Sequence, residues 1–276
     1  MTAQSMVARA IRSAANERKG ALIGYLPAGY PDVDTSVEAA IAMARNGVDV
    51  IEFGLPYSDP VMDGVVIQEA TRDALARGFR VSDVFDAIRR VREAIDVPVL
   101  VMTYINPVLQ YGVDRFAAEL AAAGGAGLIT PDITPEAAAE WILASERHGL
   151  DRVFLAAPSS TDERLQMIAE SSTGFVYTVS TMGITGERDS LDAAARELTQ
   201  RLRAQGADLA CVGIGISTAE HVATTLEYAD GAIVGTVFVK ALRDGGVQGL
   251  ADTVRILARG TLHGDLTNDD RIHSGA

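Results

Sequence analysis

Short β-like runs alternate with helical patterns from one end of the chain to the other, and Gly, Pro or an N-cap residue marks most of the junctions. This alternation is typical of βα units, which pair their strands in parallel. Eight such units in 276 residues, close to the roughly 250 residues typical of the fold, predict an α/β protein of the (β/α)8 TIM-barrel class. The predicted strands are residues 21–27, 48–55, 97–105, 126–130, 152–157, 174–180, 207–213 and 231–235.

Nothing in the composition divides the chain, so one domain is predicted over residues 1–260, beginning with a short N-terminal helix. Two helical segments, residues 68–77 and 82–95, lie between the second and third strands and predict an extra helix there. A further helix is predicted over residues 135–148, because Pro favours a first turn and Gly follows a helix end. Asp162 and Thr218 are typical helix starts. The polar segment 261–276 is predicted to be a disordered tail.

The formal net charge of −13 argues against binding to nucleic acid or to an anionic membrane surface, because both need clustered Lys and Arg. Every apolar run is shorter than the roughly 20 residues that cross a bilayer. The lone cysteine, Cys211, excludes an internal disulfide and is interpreted as a small buried hydrophobe. The four histidines show no ligand spacing, so no metal is expected. A cytoplasmic protein is predicted, although the Arg- and Ser-containing start resembles a transit peptide until Glu17 interrupts it.

Glu52 is the first candidate catalytic residue, because it lies in the second predicted strand. Strand alternation places it on one face with Val50, whereas Ile51 and Phe53 occupy the other face. The bulky pair suits the side that faces the helices, so we expect Glu52 to point into the barrel mouth, where such barrels carry out catalysis. An apolar surrounding would raise the pKa of its carboxyl group. A structural salt bridge is the alternative interpretation.

The loop after this strand carries two more carboxylates, Asp59 and Asp63, within the string EFGLPYSDPVMDG. This string resembles the signature of the tryptophan synthase alpha chain family, in which Glu, Gly, Pro, an aromatic residue, Ser-Asp-Pro and Asp-Gly occur in this order. The resemblance extends over residues 20–258 through YLPAGYP, the Tyr-x-Asn of TYINP, and Pro131-Asp132. It does not cover the start or the tail.

The resemblance implies a retro-aldol lyase that cleaves indole-3-glycerol phosphate to indole and D-glyceraldehyde 3-phosphate in tryptophan biosynthesis. Glu52 and Asp63 correspond to the two catalytic carboxylates of the family, and Tyr177 to a tyrosine beside the reacting carbon. The family pairs with a beta chain in an α2β2 heterotetramer. The pyridoxal phosphate (PLP) cofactor belongs to that beta chain, so no cofactor is expected here. The implied contact surface includes residues 56–63 and 106–111.

Glycine-containing segments follow the last three predicted strands, where barrels commonly bind phosphate through main-chain N–H groups. Any one of these glycines could simply form a turn. The resemblance assigns phosphate binding to Gly186, Gly215, Gly235 and Thr236. It also implies a mobile loop over residues 181–190, with Thr185 touching the catalytic region. Thr181 departs from the family, because many relatives have Arg there.

The resemblance further implies an apolar pocket for the indole ring, although each of its residues could equally fill barrel core. The pocket residues are Tyr25, Met102, Ile129, Leu155 and Ile233.

Two other functions stay open. One is a different barrel enzyme acting on a sugar phosphate, such as indole-glycerol-phosphate synthase or an isomerase. Such enzymes need a Lys or a different acid/base set at the strand ends, and this chain has only Lys19 and Lys240. The other is a catalytically silent subunit that binds and activates a partner.

Overall fold

The computed structural model describes residues 5–179, 188–213 and 215–263. Eight parallel strands close into a barrel in chain order, and the first strand pairs with the last. This closure confirms the predicted (β/α)8 class. The strands are β1 Ala21–Pro27, β2 Val50–Gly54, β3 Val99–Met102, β4 Gly127–Thr130, β5 Asp151–Ala156, β6 Val176–Thr178, β7 Ala210–Val212 and β8 Gly231–Val234.

Helices surround the barrel, and every strand is followed by at least one of them. The two helices predicted between the second and third strands are present as α3 and α4. The α-helices are α1 Met6–Glu17, α2 Val33–Arg45, α3 Val65–Ala76, α4 Val81–Ala94, α5 Ile105–Tyr111, α6 Val113–Ala122, α7 Ala139–His148, α8 Asp162–Ser171, α9 Arg188–Ala204, α10 Ala219–Thr225 and α11 Thr236–Ala258.

Two apolar clusters hold this arrangement together. Larger side chains of the strands, such as Ile51 and Phe53, pack against the surrounding helices. The alternate residues, such as Val50 and Leu100, fill the barrel interior. Because neighbouring residues of a strand point to opposite faces, this division confirms the predicted inward direction of Glu52.

Helix α1 belongs to the barrel. The Ser5 side chain accepts a hydrogen bond from the main-chain N–H of Ala8 and so begins the helix. Val7, Ile11 and Ala14 are buried in the interior cluster near the amino ends of the strands. The N-terminal helix therefore closes the end of the barrel opposite the mouth.

The third predicted strand is too long in the sequence analysis. It ends at Met102, and Ile105 begins the unpredicted helix α5. Two features favour a helix here: Asp132 accepts the main-chain N–H of Ile105 at 2.9 Å, and Pro107 in the first turn needs no N–H partner. The other strands differ from prediction by zero to three residues at their ends.

Other boundaries also differ from prediction, as at the start of α3, which is Val65 and not residue 68. The segment predicted as one helix over 135–148 opens with a 3-10 turn, Pro135–Ala137, before α7 begins. At the other end of the chain, Gly260 and Thr261 are buried in a 3-10 turn, and the main-chain N–H of Lys19 donates to the Thr261 carbonyl. These two residues therefore pack with the barrel, whereas 264–276 lie outside the described residues. Disorder of that tail stays a prediction.

Across the residues that the structure describes, no helix has the length and apolarity to cross a bilayer.

Candidate active site

Glu52 lies inside the barrel on β2, in register with Tyr25 of the neighbouring strand β1. Its side chain is fully buried, and neither carboxyl oxygen has a hydrogen-bond partner among the described residues. No described cation pairs with it either, so the salt-bridge interpretation fails for this part of the chain. Burial raises the pKa of Glu52 to about 8, because the ionised form loses its hydration. Glu52 is therefore a neutral acid at pH 7.

Because this acid is buried, we predict that the free energy of unfolding falls as the pH rises. The pKa of Glu52 is about 8 in the folded protein against an ordinary value of 4.5, so the folded state binds its proton more tightly. The contribution is fully present below pH 4.5 and is lost progressively up to about pH 8, at a limit of roughly 1.4 kcal/mol per pH unit. We expect the Glu52→Gln variant to unfold at a higher denaturant concentration than the wild type at pH 8. The difference between the two unfolding midpoints should be several times larger at pH 8 than at pH 5. Glu93→Gln, on an exposed position of α4, is the matched control. Equal pH dependence in all three proteins would contradict the burial of an acid at Glu52.

Asp63 lies on the loop between β2 and α3, and its side chain is half-buried. Burial raises the pKa of Asp63 to about 6, and a hydrogen bond from Tyr104 opposes this effect. The Tyr104 hydroxyl donates to Asp63 Oδ2 at 3.5 Å. At pH 7 Asp63 is therefore predominantly a carboxylate. Two acids with separated pKa values, one neutral and one charged, are the arrangement that acid and base chemistry requires.

A small cavity opens beside Asp63 at the carboxyl ends of β1 to β4. Its walls combine aromatic, apolar and polar side chains, and Glu52 is not among the described residues that line it. They are Tyr25, Leu55, Tyr57, Asp63, Thr71, Met102, Thr103, Tyr104 and Pro131. With a volume of about 10 Å³, the cavity has room for about one water molecule with the side chains in these positions.

Tyr25 connects the buried acid to the glycine loops. A Cβ at Gly54, two residues beyond Glu52, would stand 2.1 Å from the Tyr25 hydroxyl. A Cβ at Gly235 would stand 3.3 Å from the Tyr25 ring. The Tyr25 ring therefore lies beside the ends of both strands that neighbour β1, which are β2 and β8. Glycine is required at position 54, because any side chain would displace Tyr25.

Tyr177 occupies a similar place across the barrel. It projects from β6, packs on the interior cluster, and reaches so far that a Cβ at Gly213 would stand 2.4 Å from its hydroxyl. Burial raises the pKa of Tyr177, and the charge of Glu52 raises it further. Tyr177 therefore lies within electrostatic range of Glu52, and its place beside a reacting carbon stays a prediction.

Three of the four predicted phosphate residues lie in the described chain, in the loops after β7 and β8. Gly235 precedes α11, whose first residue is Thr236, and the free N–H groups of a helix start favour an anion. Gly215 has a φ of +43°, a conformation that favours glycine. Gly186 and Thr185, as well as Thr181, fall outside the described residues. Phosphate binding at all these positions stays a prediction.

The residues predicted for the indole pocket all lie on inward-facing strand positions. Ile129 and Ile233 belong to the interior cluster, and Met102 and Leu155 pack against it. Only Met102 and Tyr25 also line the cavity. Ile129, Leu155 and Ile233 pack in the barrel interior, and contact of the five predicted residues with a ring stays a prediction.

Two side chains that hold the loop of Asp63 could not be identified from the sequence. Tyr104 accepts the main-chain N–H of Met62 at 2.7 Å. Gln68 donates from its side-chain amide to the Asp63 carbonyl at 2.8 Å. Tyr104 is the first residue of the Tyr-x-Asn motif. Its contacts with Met62 and Asp63, 42 and 41 residues earlier in the chain, have no signature in the sequence.

Comparison with known proteins gives one consistent result. The family model "Tryptophan synthase alpha chain" matches residues 11–260. A tryptophan synthase alpha chain of Leifsonia xyli subsp. xyli is 63% identical over 260 residues, which is 94% of this chain and 100% of the relative. One from Mycobacterium avium is 53% identical, over 89% of this chain and 90% of the relative. A solved tryptophan synthase structure from M. tuberculosis superimposes with a TM-score of 0.89 at 49% identity, covering 95% of this chain and all of the matched chain.

Proposed function

Because this chain belongs to the tryptophan synthase alpha chain family, we propose that it cleaves indole-3-glycerol phosphate to indole and D-glyceraldehyde 3-phosphate, with Glu52 and Asp63 as the two catalytic acids. It is thus a carbon–carbon lyase of tryptophan biosynthesis. One observation carries the residue assignment: a fully buried carboxyl group without a hydrogen-bond partner among the described residues lies on the strand that leads into the loop of the second acid. A buried acid of this kind costs stability, which is typical of a functional group.

The reaction needs an acid because indole is a poor carbanion leaving group. Glu52, neutral at pH 7, donates its proton to C3 of the indole ring, and positive charge develops on the ring nitrogen. The carboxylate of Asp63 stabilises that charge across the cavity. The Glu52 carboxylate then takes the proton of the glycerol hydroxyl, the carbon–carbon bond breaks, and its electron pair returns to the ring. The products are indole and an aldehyde, and Glu52 is again neutral.

The remaining groups position the substrate. Tyr25 and Tyr177, which lie beside the ends of their neighbouring strands, would flank the reacting carbon. Main-chain N–H groups at Gly215, Gly235 and Thr236 would hold the phosphate, together with Gly186. Thr185 and its loop would cover the bound substrate. Backbone binding of phosphate is consistent with a net charge of −13, since it requires no Lys or Arg.

Incubation of the full chain with indole-3-glycerol phosphate, with detection of indole and of the triose phosphate, tests this function. A barrel enzyme of another kind would leave this substrate intact or would isomerise a sugar phosphate. Such chemistry commonly needs Lys at the mouth, but Lys240 is exposed on α11 and Lys19 precedes β1 at the opposite end. A silent subunit would form no indole but would still activate a beta chain. No indole at any pH between 6 and 9, with or without that partner, would refute the proposal.

The proposed partner is a tryptophan synthase beta chain in an α2β2 complex, and PLP would be bound by that chain alone. An apolar surface at the mouth supports this assembly: Val61, Met62, Val65 and Leu109 are 41–81% exposed. Exposed apolar groups gathered at one site mark interaction surfaces. The loop and α5, which carry all of these residues except Val65 of α3, are joined by a hydrogen bond of 3.2 Å from Asn106 to the Tyr57 hydroxyl. Both segments were predicted contact regions.

We expect Val61→Asp to weaken binding of the beta chain from the same organism by at least about tenfold, because a charge would be buried against an apolar partner. Analytical ultracentrifugation or calorimetry of the mixed chains measures the effect. Leu143→Asp is the matched control, since Leu143 is 60% exposed on the outer helix α7. Equal binding by both variants would exclude this surface.

A further inference from the structure

The loop that carries Asp63 has no regular secondary structure between β2 and α3, yet it must hold a catalytic carboxylate in place. One side chain from the next βα unit holds it. The Tyr104 hydroxyl accepts the main-chain N–H of Met62 at 2.7 Å and donates to Asp63 Oδ2 at 3.5 Å. Tyr104 itself is nearly fully buried, and its ring packs on Tyr57 with centroids 5.4 Å apart. Its hydroxyl therefore occupies a fixed position.

The chemistry of a phenol gives this contact a direction. A hydroxyl has a single proton to donate, and its oxygen already accepts the Met62 N–H. The proton is thus directed away from the loop backbone, towards the Asp63 carboxylate. A donated hydrogen bond favours the ionised form of a carboxyl group, whereas burial disfavours it. These opposing effects act on Asp63, where the bond from Tyr104 lowers a pKa that burial has raised to about 6.

We propose that Tyr104 is a positioning residue that keeps Asp63 ionised and aimed into the cavity through its hydroxyl proton. The inference rests on the proposed role of Asp63 as the charged partner of the indole nitrogen. It adds a residue whose effect on the reaction is exerted through Asp63 and not by contact with the reacting carbon. Because burial alone would favour the neutral acid, an Asp63 without this bond would be uncharged in a larger fraction of molecules at neutral pH.

Tyr104→Phe tests the proposal in the full chain, because it removes the hydroxyl and keeps the ring that packs on Tyr57. We expect the pKa of Asp63, followed by NMR with labelled aspartate, to rise by roughly 0.5 to 1 unit. The apparent pKa of the acid limb in the pH profile of kcat for indole formation should rise by the same amount. At pH 6 this corresponds to a several-fold loss of kcat, and the loss should be smaller at pH 8.

Tyr228→Phe is the matched control, since the Tyr228 hydroxyl donates to Asp192 at 2.8 Å on the outer helix ring. This variant should leave the Asp63 titration and the pH profile unchanged. If Tyr104→Phe folds poorly, 3-fluorotyrosine at position 104 provides a stronger donor in the same shape and should lower the Asp63 pKa. An Asp63 titration that moves with neither change would overturn the proposal. An enzyme that forms no indole, but whose Asp63 titration shifts as expected, would refute the proposed function and not this inference.

Discussion

Replacement of Glu52 by Gln is expected to lower kcat for indole formation by roughly 10²- to 10⁴-fold, the range ascribed to a positioned acid/base group. Gln has nearly the same shape as the protonated acid, so packing inside the barrel is retained. It has no proton to give to the ring carbon and cannot accept the glycerol proton. The loss should therefore appear in kcat, with little change in KM. Steady-state assays of the full chain measure both constants.

Circular dichroism and the unfolding midpoint show whether the variant is folded, and the variant should equal or exceed the wild type in stability above pH 7. Binding of the beta chain should persist, because Glu52 is fully buried and cannot touch a partner. Glu93→Gln, on the exposed face of α4, should retain full activity. Near-normal turnover by Glu52→Gln would end the assignment of this residue as the acid.

The second large effect is expected for Asp63→Asn, with a decrease of roughly 10²- to 10³-fold in kcat, as for removal of one preorganised electrostatic group. The amide keeps the size of the side chain and can still accept a hydrogen bond from the ring N–H. It carries no charge, so the positive charge that develops on the nitrogen is left without its partner. The acid limb that reports the pKa of about 6 should also disappear from the pH profile.

The comparison of the two variants separates the roles of the two acids. Asp63→Asn should keep the basic limb that reflects ionisation of Glu52 near pH 8, whereas Glu52→Gln should abolish it. If Asp63→Asn instead abolished the basic limb, the two roles would be assigned the wrong way round. Gel filtration and thermal unfolding exclude a folding defect as the cause.

The barrel and the inward direction of Glu52 could be predicted from sequence because both depend on local periodicity. Gly and Pro punctuate eight repeats, and alternation along β2 distinguishes Glu52 from Phe53. Helix α5 could not be predicted, because the run from Val97 to Ile105 is largely apolar and every second residue in it is β-branched, as in a strand. Its start depends on the Asp132 carboxylate, which comes from the next unit of the barrel.

The site was predictable only in part, for a similar reason. Residue types in the loop after β2 identify Asp63, but the bonds that hold it come from Tyr104 and Gln68. A tyrosine near the end of a strand has the same local pattern whether it packs or positions an acid. Sequence spacing contains no record of the bonds from Tyr104, whose partners lie 41 and 42 residues away. Gly186, which is predicted to bind phosphate, and Thr185 of the predicted mobile loop lie outside the described residues. Both roles stay predictions.

Helix α1 affects how protons reach the catalytic acid. Because Val7, Ile11 and Ala14 pack at the far end of the barrel and the Glu52 side chain is fully buried, we expect the mouth to be the entrance by which protons reach this acid. The substrate occupies that same entrance during turnover. An acid that has lost its proton before substrate arrives cannot be recharged from solvent until the ligand leaves, so the protonation state of each catalytic cycle is set at the moment of binding.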